Sequence, residues 1–397
     1  MKALHVIPSL DPASGGPVEV LRQLRTIFSL GGHQVDVATL DSPEVARKYE
    51  FPARVFALGP SKGIYRYTPV AIPWLKANVA GYDLVVIHCV WQYSALAAYR
   101  ALEGFAIPYA VFTHGMLDPY FKKRFPFKHL KKTIYWHGFL RKILCDADVV
   151  LFTSEEERLL ARETFSRYKV RETVMPLGSF GPSCDTAAAR EEFLVRWPHL
   201  RGKRLALSLG RIHPKKAIDV VIGAFAGTLA NDPAWHLVIA GPDEAGHRKE
   251  LETLAAGLGL SSRITWTGML QGDLKWGSLL VSEILVMPSH QENFGMVVVE
   301  ALACSLPVIL SNKVNIWREV LNCSAGYIGE DTVEATKASL SRWSALTAEE
   351  IAVTRNCARK CFHESFNLNV TSKKILQVFE TLIQRTAREK QNSLTAA

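Results

Sequence analysis

The chain has 397 residues, 48% hydrophobic and 21% charged, which is material for two cores of ordinary size, so a globular protein is expected. No uninterrupted apolar run reaches the roughly 18 residues of a membrane-spanning helix. The 47 basic against 38 acidic residues give a formal +9, a balance that favours anionic partners such as nucleotides, phosphorylated lipids or nucleic acid without choosing among them.

The start, Met1-Lys2-Ala3-Leu4-His5-Val6-Ile7-Pro8, reads as a first strand and is too short for the apolar core of a secretion signal, so a cytoplasmic enzyme is the expectation. Gly15-Gly16 follow it. A helix is predicted over 17–30, where Val18, Leu21, Leu24 and Phe28 share a helical face and Gly31-Gly32 stop it. Apolar bursts recur at Val35–Thr39, Leu84–His88, Tyr109–Thr113 and Val149–Thr153. Strands that are apolar throughout and alternate with helices indicate a parallel sheet covered on both faces. The segment Thr113-His114-Gly115-Met116-Leu117-Asp118-Pro119 leaves one of these strands. Taken alone, His114 reads as a structural hydrogen-bonding group and Asp118 as a helix cap or an acceptor contact. From Tyr120 to Trp136 lysines and aromatics are mixed. Such a stretch suits either an anionic membrane surface or lipid diphosphate, or a solvated helix face with its aromatics turned inward.

After the polar stretch from Leu177 to Asp185 a second series begins, with bursts at Arg204–Leu209, Leu237–Ala240, Ile264–Trp266, Ile284–Met287 and Val308–Leu310. The expected architecture is α/β: two doubly wound domains over 1–180 and 181–370, a helix over 371–388 that returns to the first domain, and a frayed tail over 389–397. A ligand is expected in the cleft between the domains, at the carboxyl ends of the strands. The seven cysteines are scattered and odd in number, which fits reduced thiols, and Cys357 with Cys361 reads as packing in preference to a metal pair.

The chemistry concentrates in two loops of the second half. After Leu205–Leu209, the run Gly210-Arg211-Ile212-His213-Pro214-Lys215-Lys216-Ala217 offers a planar guanidinium and a point charge suited to a diphosphate. After Ile284–Met287, Glu292 and Glu300 stand eight residues apart across a loop-to-helix junction. Gly295 lets backbone approach a ligand, and the amides opening a helix at Met296 face an anion. Glu300, two turns on, suits a ribose diol, and Glu292 suits sugar hydroxyls.

In that order Gly15-Gly16, Thr113-His114-Gly115, Gly210-Arg211 to Lys216 and Glu292-x7-Glu300 resemble the motifs of the family-four retaining glycosyltransferases, the glycosyl transferases group 1, over most of the chain. The resemblance implies a GT-B fold of two facing Rossmann-like domains, the first binding the acceptor and the second a nucleotide sugar. It implies that Arg211 and Lys216 hold the diphosphate, His114 contacts the transferred sugar or a phosphate oxygen, and Glu300 binds the ribose. Glu292 and the backbone of Asn293, Phe294, Gly295, Met296 and Val297 would bind the donor sugar, while Gly15, Gly16 and Gly210 admit the phosphates. The family's lysine usually precedes a glycine where this chain has Ala217, and the family often has glycine at Ser305.

The implied reaction is transfer, with retained configuration and no metal or resident cofactor, from a UDP- or GDP-sugar to a saccharide or lipid-linked saccharide acceptor. This is chemistry of polysaccharide or glycolipid assembly, with peripheral contact to the inner membrane surface and no nucleic acid. The alternatives are a nucleotide-sugar epimerase or a phosphorylase on the same fold, or a non-catalytic sugar-nucleotide binding protein. A dehydrogenase is disfavoured, since no Gly-x-Gly-x-x-Gly follows the first strand.

Overall fold

A computed structural model describes the protein at all residues except 13–15, 121, 123–125, 245, 396 and 397. The chain divides into two compact units, Met1–Leu177 with the segment from Thr371 onward, and Gly178–Val370.

The first unit is built on seven strands: β1 (Lys2–Ile7), β2 (Gln34–Thr39), β3 (Arg54–Ala57), β4 (Leu84–His88), β5 (Tyr109–Phe112), β6 (Val149–Phe152) and β7 (Glu172–Val174). They lie in the order β3-β2-β1-β4-β5-β6-β7, every pair parallel. The chain therefore winds outward from β1 in one direction, then returns to β4 and winds in the other. β4, β5 and β6 are buried along their whole length, as strands covered on both faces must be.

The second unit repeats the plan with β8 (Arg204–Leu209), β9 (Trp235–Ala240), β10 (Ile264–Gly268), β11 (Ile284–Met287), β12 (Val308–Ser311) and β13 (Gly326–Gly329), in the order β10-β9-β8-β11-β12-β13 and again all parallel. Its reversal falls between β8 and β11. In open parallel sheets the crevice beyond the carboxyl ends of the two strands at such a reversal is where ligands sit. The loops after β8 and β11 are those carrying Arg211, Lys216, Glu292 and Glu300.

Three strands escape the sequence pattern: β3, β7 and β13. Each closes an edge of its sheet, and each is only partly buried, so none shows the unbroken apolar run of the inner strands.

The last helix spans Leu368–Thr395. It packs on the first unit through Phe379, whose ring centroid lies 5.3 Å from that of Phe28, and through Arg385, which pairs with Asp148 at 2.8 Å. The tail expected to fray from Glu389 is instead helical to Thr395. The reason is local: no glycine or proline interrupts Thr371 to Thr395, and Ala387, Glu389, Lys390 and Gln391 are good helix formers. None of the described helices is long and apolar enough to cross a membrane. All seven cysteines are free thiols.

Candidate active site

At the end of β8, Gly210 donates its amide to Ala240 O at 2.9 Å. A Cβ on the neighbouring Gly241 would lie 1.7 Å from Gly210 O, so glycine at 241 is what lets these two backbones meet. The chain then makes a short 3-10 turn, Pro214–Lys216, capped by the His213 ring, which accepts from Lys215 N at 3.1 Å. Ala217 follows with φ 52°, in the left-handed region, and opens the helix Ile218–Ala226. Ser305, with φ 56°, is left-handed too. Both positions at which the family carries glycine are thus left-handed turns, and this chain makes them with Ala and Ser at a cost of about 1–2 kcal/mol each.

The loops after β8 and β11 are stitched to each other. His290 N donates to Lys215 O at 2.9 Å, Lys215 Nζ to Gln291 Oε1 at 3.3 Å, and Lys216 Nζ to Glu292 Oε2. Lys216 and Glu292 are both mostly buried, with side-chain exposures of 18% and 21%, which strengthens a charge-assisted bond relative to one at the surface. The backbone of Glu292 is held on both sides: its amide donates to Lys313 O at 3.0 Å and its carbonyl accepts from Asn315 N at 3.0 Å. Asn293 accepts from the Asn315 amide at 3.4 Å. The Phe294 ring is buried, edge-on to Phe366, so what that residue offers a ligand is backbone.

Gly295, with φ 79°, caps the helix Met296–Ala303 and supplies no side chain to its first turn. Met296 and Val297 are partly exposed there. On the second turn Glu300 Oε1 accepts from Lys275 Nζ at 2.7 Å, a partner from the helix Gly272–Val281 that the sequence did not single out. Arg211 stands apart from this pairing: it meets Glu244 at 2.7 Å, with half its side chain exposed.

In the first unit His114 follows β5 with φ 51°, and Gly115 with φ 72° continues the left-handed turn. The turn hangs on Glu157, in the acidic first turn of the helix Glu155–Thr164, a residue that the sequence did not single out. One Glu157 oxygen accepts from Thr113 Oγ1 at 2.7 Å and Gly115 N at 2.6 Å, and the other from Thr153 N at 2.8 Å and Thr153 Oγ1 at 2.7 Å. It thereby ties the loop after β5 to the loop after β6. His114 Nε2 lies 3.0 Å from His88 Nδ1, and burial lowers its pKa to about 3, so the ring is neutral. Asp118 accepts from Tyr120 N at 2.7 Å, a local turn that fits a capping role. Gly15 lies outside the described residues. Gly16 begins the helix Gly16–Leu30, with open space where a Cβ would project.

The chain carries a single Asp-x-Asp triplet, Asp146-Ala147-Asp148. It stands at the amino end of β6, away from the carboxyl ends, and its carboxylates serve structure: Asp146 accepts from Tyr99 at 2.7 Å, and Asp148 accepts from Tyr109 N at 3.0 Å and pairs with Arg385. Among the described residues no group of three His, Cys, Asp or Glu side chains is placed to hold a metal ion.

Two family models match this chain, the glycosyl transferase 4-like domain over residues 15–178 and the glycosyl transferases group 1 over residues 189–356. The chain belongs to the group 1 glycosyl transferases. The D-inositol 3-phosphate glycosyltransferase of Geodermatophilus obscurus is 31% identical over 224 residues, 52% of this chain and 48% of that protein. That of Mycobacteroides abscessus is 25% identical over 330 residues, 77% and 72% of the two chains. The chain spans about half the length of the first of these relatives. Among solved structures, sucrose-phosphate synthase from Thermosynechococcus elongatus superposes with a TM-score of 0.74 at 21% identity, covering 97% of this chain and 100% of that one. The Anabaena protein HepE, solved with UDP and glucose, gives 0.74 at 16% identity, covering 96% and 100%. These likenesses are of fold, and the fold is the two-unit GT-B class.

Glu157→Ala would leave buried donors at Thr153 and Gly115 without their acceptor, so it is expected to lower stability by about 3 kcal/mol in urea unfolding. A variant as stable as the parent would show that the His114 turn does not depend on this carboxylate.

Proposed function

We propose that the protein is a retaining, metal-independent glycosyltransferase that moves a sugar from a nucleoside diphosphate donor to an acceptor hydroxyl. The observation that carries this reading is the Lys216–Glu292 pair at the carboxyl ends of β8 and β11, beside the amino end of the helix Met296–Ala303. A cation, a set of helix amides and two carboxylates at one sheet reversal match a diphosphate flanked by a sugar and a ribose. The Anabaena protein HepE, solved with UDP and glucose, supports this donor class.

In this reading the diphosphate takes Lys216 from Glu292. The freed ammonium, with Arg211 and the amides of Met296 and Val297, stabilises charge building on the leaving phosphate, the main demand of breaking a glycosyl–phosphate bond. Glu292 then accepts from sugar hydroxyls, and Glu300, released from Lys275, accepts from the ribose diol. With both carboxylates engaged in binding, neither serves as a nucleophile. The acceptor attacks the face from which the phosphate leaves, and a phosphate oxygen takes its proton. Cationic side chains do the neutralising for which other transferases use a metal. The role proposed for His114 is a hydrogen bond to an oxygen of the transferred sugar or of a phosphate. Polysaccharide or glycolipid assembly is the proposed setting, with a saccharide or lipid-linked saccharide as acceptor.

A second observation concerns the setting. The helix Pro126–Tyr135 exposes Phe127, Leu130 and Ile134 at 85%, 60% and 69%, an apolar stripe at helical spacing, with Lys128 and Lys131 exposed beside it. An apolar stripe flanked by lysines fits the boundary of an anionic bilayer, and we assign it to that surface. Phe121 and Lys123 to Phe125 of the same basic stretch lie outside the described residues.

Lys216→Ala is expected to cost about 2–4 kcal/mol in transition-state terms, the loss of one preorganised donor to a developing oxyanion, and Lys215→Ala much less. Steady-state turnover of the two variants checks the ranking, and the reverse order would shift the loop assignment by one residue.

Glu300→Gln replaces a charged acceptor by a neutral one and is expected to weaken donor binding by about 1–3 kcal/mol. The readout is thermal stabilisation by UDP-, GDP- and ADP-sugars, since a ligand that binds only the folded state raises its apparent stability. Equal shifts in parent and variant for the best donor would remove Glu300 from the ribose site.

Replacing Lys128 and Lys131 with Gln is expected to lower co-sedimentation with anionic vesicles, each lysine contributing up to about 1 kcal/mol at a negative surface, and to spare donor binding. Parent and variant sedimenting alike, or a parent that does not sediment at low salt, would leave a soluble acceptor as the better reading.

A further inference from the structure

Three imidazoles form a row on one side of the first sheet. His5 lies within β1, His88 closes β4 and His114 follows β5, three strands that are neighbours. His5 is in register with Val86, so His88, two residues on, faces the same side. His5 Nδ1 is 2.9 Å from His88 Nε2, and His88 Nδ1 is 3.0 Å from His114 Nε2. The ring planes lie within 25° and 19° of parallel, with centroids 5.2 Å apart in both pairs, so the nitrogens meet edge to edge. His5 and His88 are inaccessible and His114 is partly open. At the inner end His5 Nε2 is buried with no hydrogen-bond partner, and Phe28 stands edge to face with the ring. At the outer end no described residue is bonded to His114 Nδ1.

Burial holds all three rings below their ordinary pKa, so each is neutral. A neutral imidazole has one N–H and one lone pair. His88 uses both nitrogens in the row, so it must donate at one and accept at the other. The polarity of one bond therefore fixes the other, and only two arrays exist. In the first, every ring carries its hydrogen on Nδ1, and the row ends inside the core on a bare lone pair at His5 Nε2. In the second, every ring carries it on Nε2, and the row ends inside the core on an N–H with no acceptor. Orphaned buried N–H groups are the rarer outcome in folded proteins.

We propose that His5 and His88 are positioning residues that lock His114 in its Nδ1–H form, so that His114 offers the ligand a fixed hydrogen-bond donor and not a basic lone pair. This goes beyond a contact role for His114, and its functional half rests on the glycosyltransferase reading. A fixed donor suits an acceptor oxygen of a phosphate or sugar hydroxyl and excludes His114 Nδ1 as the base that deprotonates the acceptor.

The test begins with the unliganded full-length protein. Ring 15N labelling of histidine, with a long-range proton–nitrogen correlation spectrum near neutral pH, reports which nitrogen of each ring is protonated. Protonated Nδ1 and bare Nε2 on His5, His88 and His114 are expected, and protonated Nε2 on His114 overturns the proposal. This reading requires no substrate, so it stands or falls apart from the assignment of the reaction. Two variants then test the link to function. His88→Leu removes the donor to His114 Nε2, and His88→Gln supplies an amide N–H in its place. The expected result is that in the leucine variant His114 is no longer held in one form, so that Nδ1–H and Nε2–H are both populated and turnover falls several-fold, while the glutamine variant restores the single Nδ1–H form and the turnover. Loss of turnover in both variants with the His114 tautomer unchanged, or parental turnover in the leucine variant, overturns the positioning role. If the leucine variant fails to fold, the parental spectrum and the glutamine variant decide it.

Discussion

The ion pair of Lys216 and Glu292 joins two loops that leave adjacent parallel strands, and the arrangement of the candidate site in the second unit follows from it. Parallel strands oblige each connection to depart from the same end of the sheet, and at the reversal between β8 and β11 two such connections depart side by side in opposite directions. A gap lined by backbone amides and lysines would repel itself if left uncompensated. Glu292 supplies the compensation in the unliganded protein, and Glu300 does the same for Lys275. Both carboxylates thus stand where an anionic ligand would put its own oxygens. Taking up an anion there would exchange one set of charge-assisted bonds for another, which lowers the desolvation cost of the exchange.

The turn geometry around this pair tolerates a change that sequence comparison alone would flag. The lysine loop ends on a left-handed residue, and so does the helix that carries Glu300, at Ser305. Glycine adopts that conformation freely, whereas Ala217 and Ser305 adopt it at a cost. The structure keeps the turn at 217 because Ala217 is buried and its amide donates to Pro214 O at 3.2 Å, so the surroundings over-determine the backbone. At both positions the departure from the family pattern leaves the backbone left-handed, at a cost in local stability.

The inner strands were legible in the sequence because burial on both faces demands an unbroken apolar run, as in Leu84-Val85-Val86-Ile87 or Ile284-Leu285-Val286-Met287. β3, β7 and β13 were not, since an edge strand buries less and its composition drifts toward that of loops. The same division holds for the site. Arg211, Lys216, Glu292 and Glu300 were legible by position, because each follows a recognisable strand by a fixed distance. Lys275, Glu157 and Gly241 were not: Lys275 meets Glu300 from another helix, Glu157 reaches 42 residues back to Gly115, and the need for glycine at 241 exists only because Gly210 O passes beside it. His5 and His88 looked like ordinary residues of apolar strands, and only the pairing of β1 with β4 and β4 with β5 brings their rings into line.

The two units solve the same topological problem with different chemistry. In the second, the loops at the reversal are tied by opposite charges whose pairing a ligand can replace. In the first, the corresponding neighbours β1, β4 and β5 present neutral rings and a turn held by a buried carboxylate that accepts from two loops at once. Charges that can be exchanged suit loops that take up and release an anion. A neutral, directionally fixed group suits holding one oxygen without competing for its proton, and burial is what keeps the histidines neutral enough to do so.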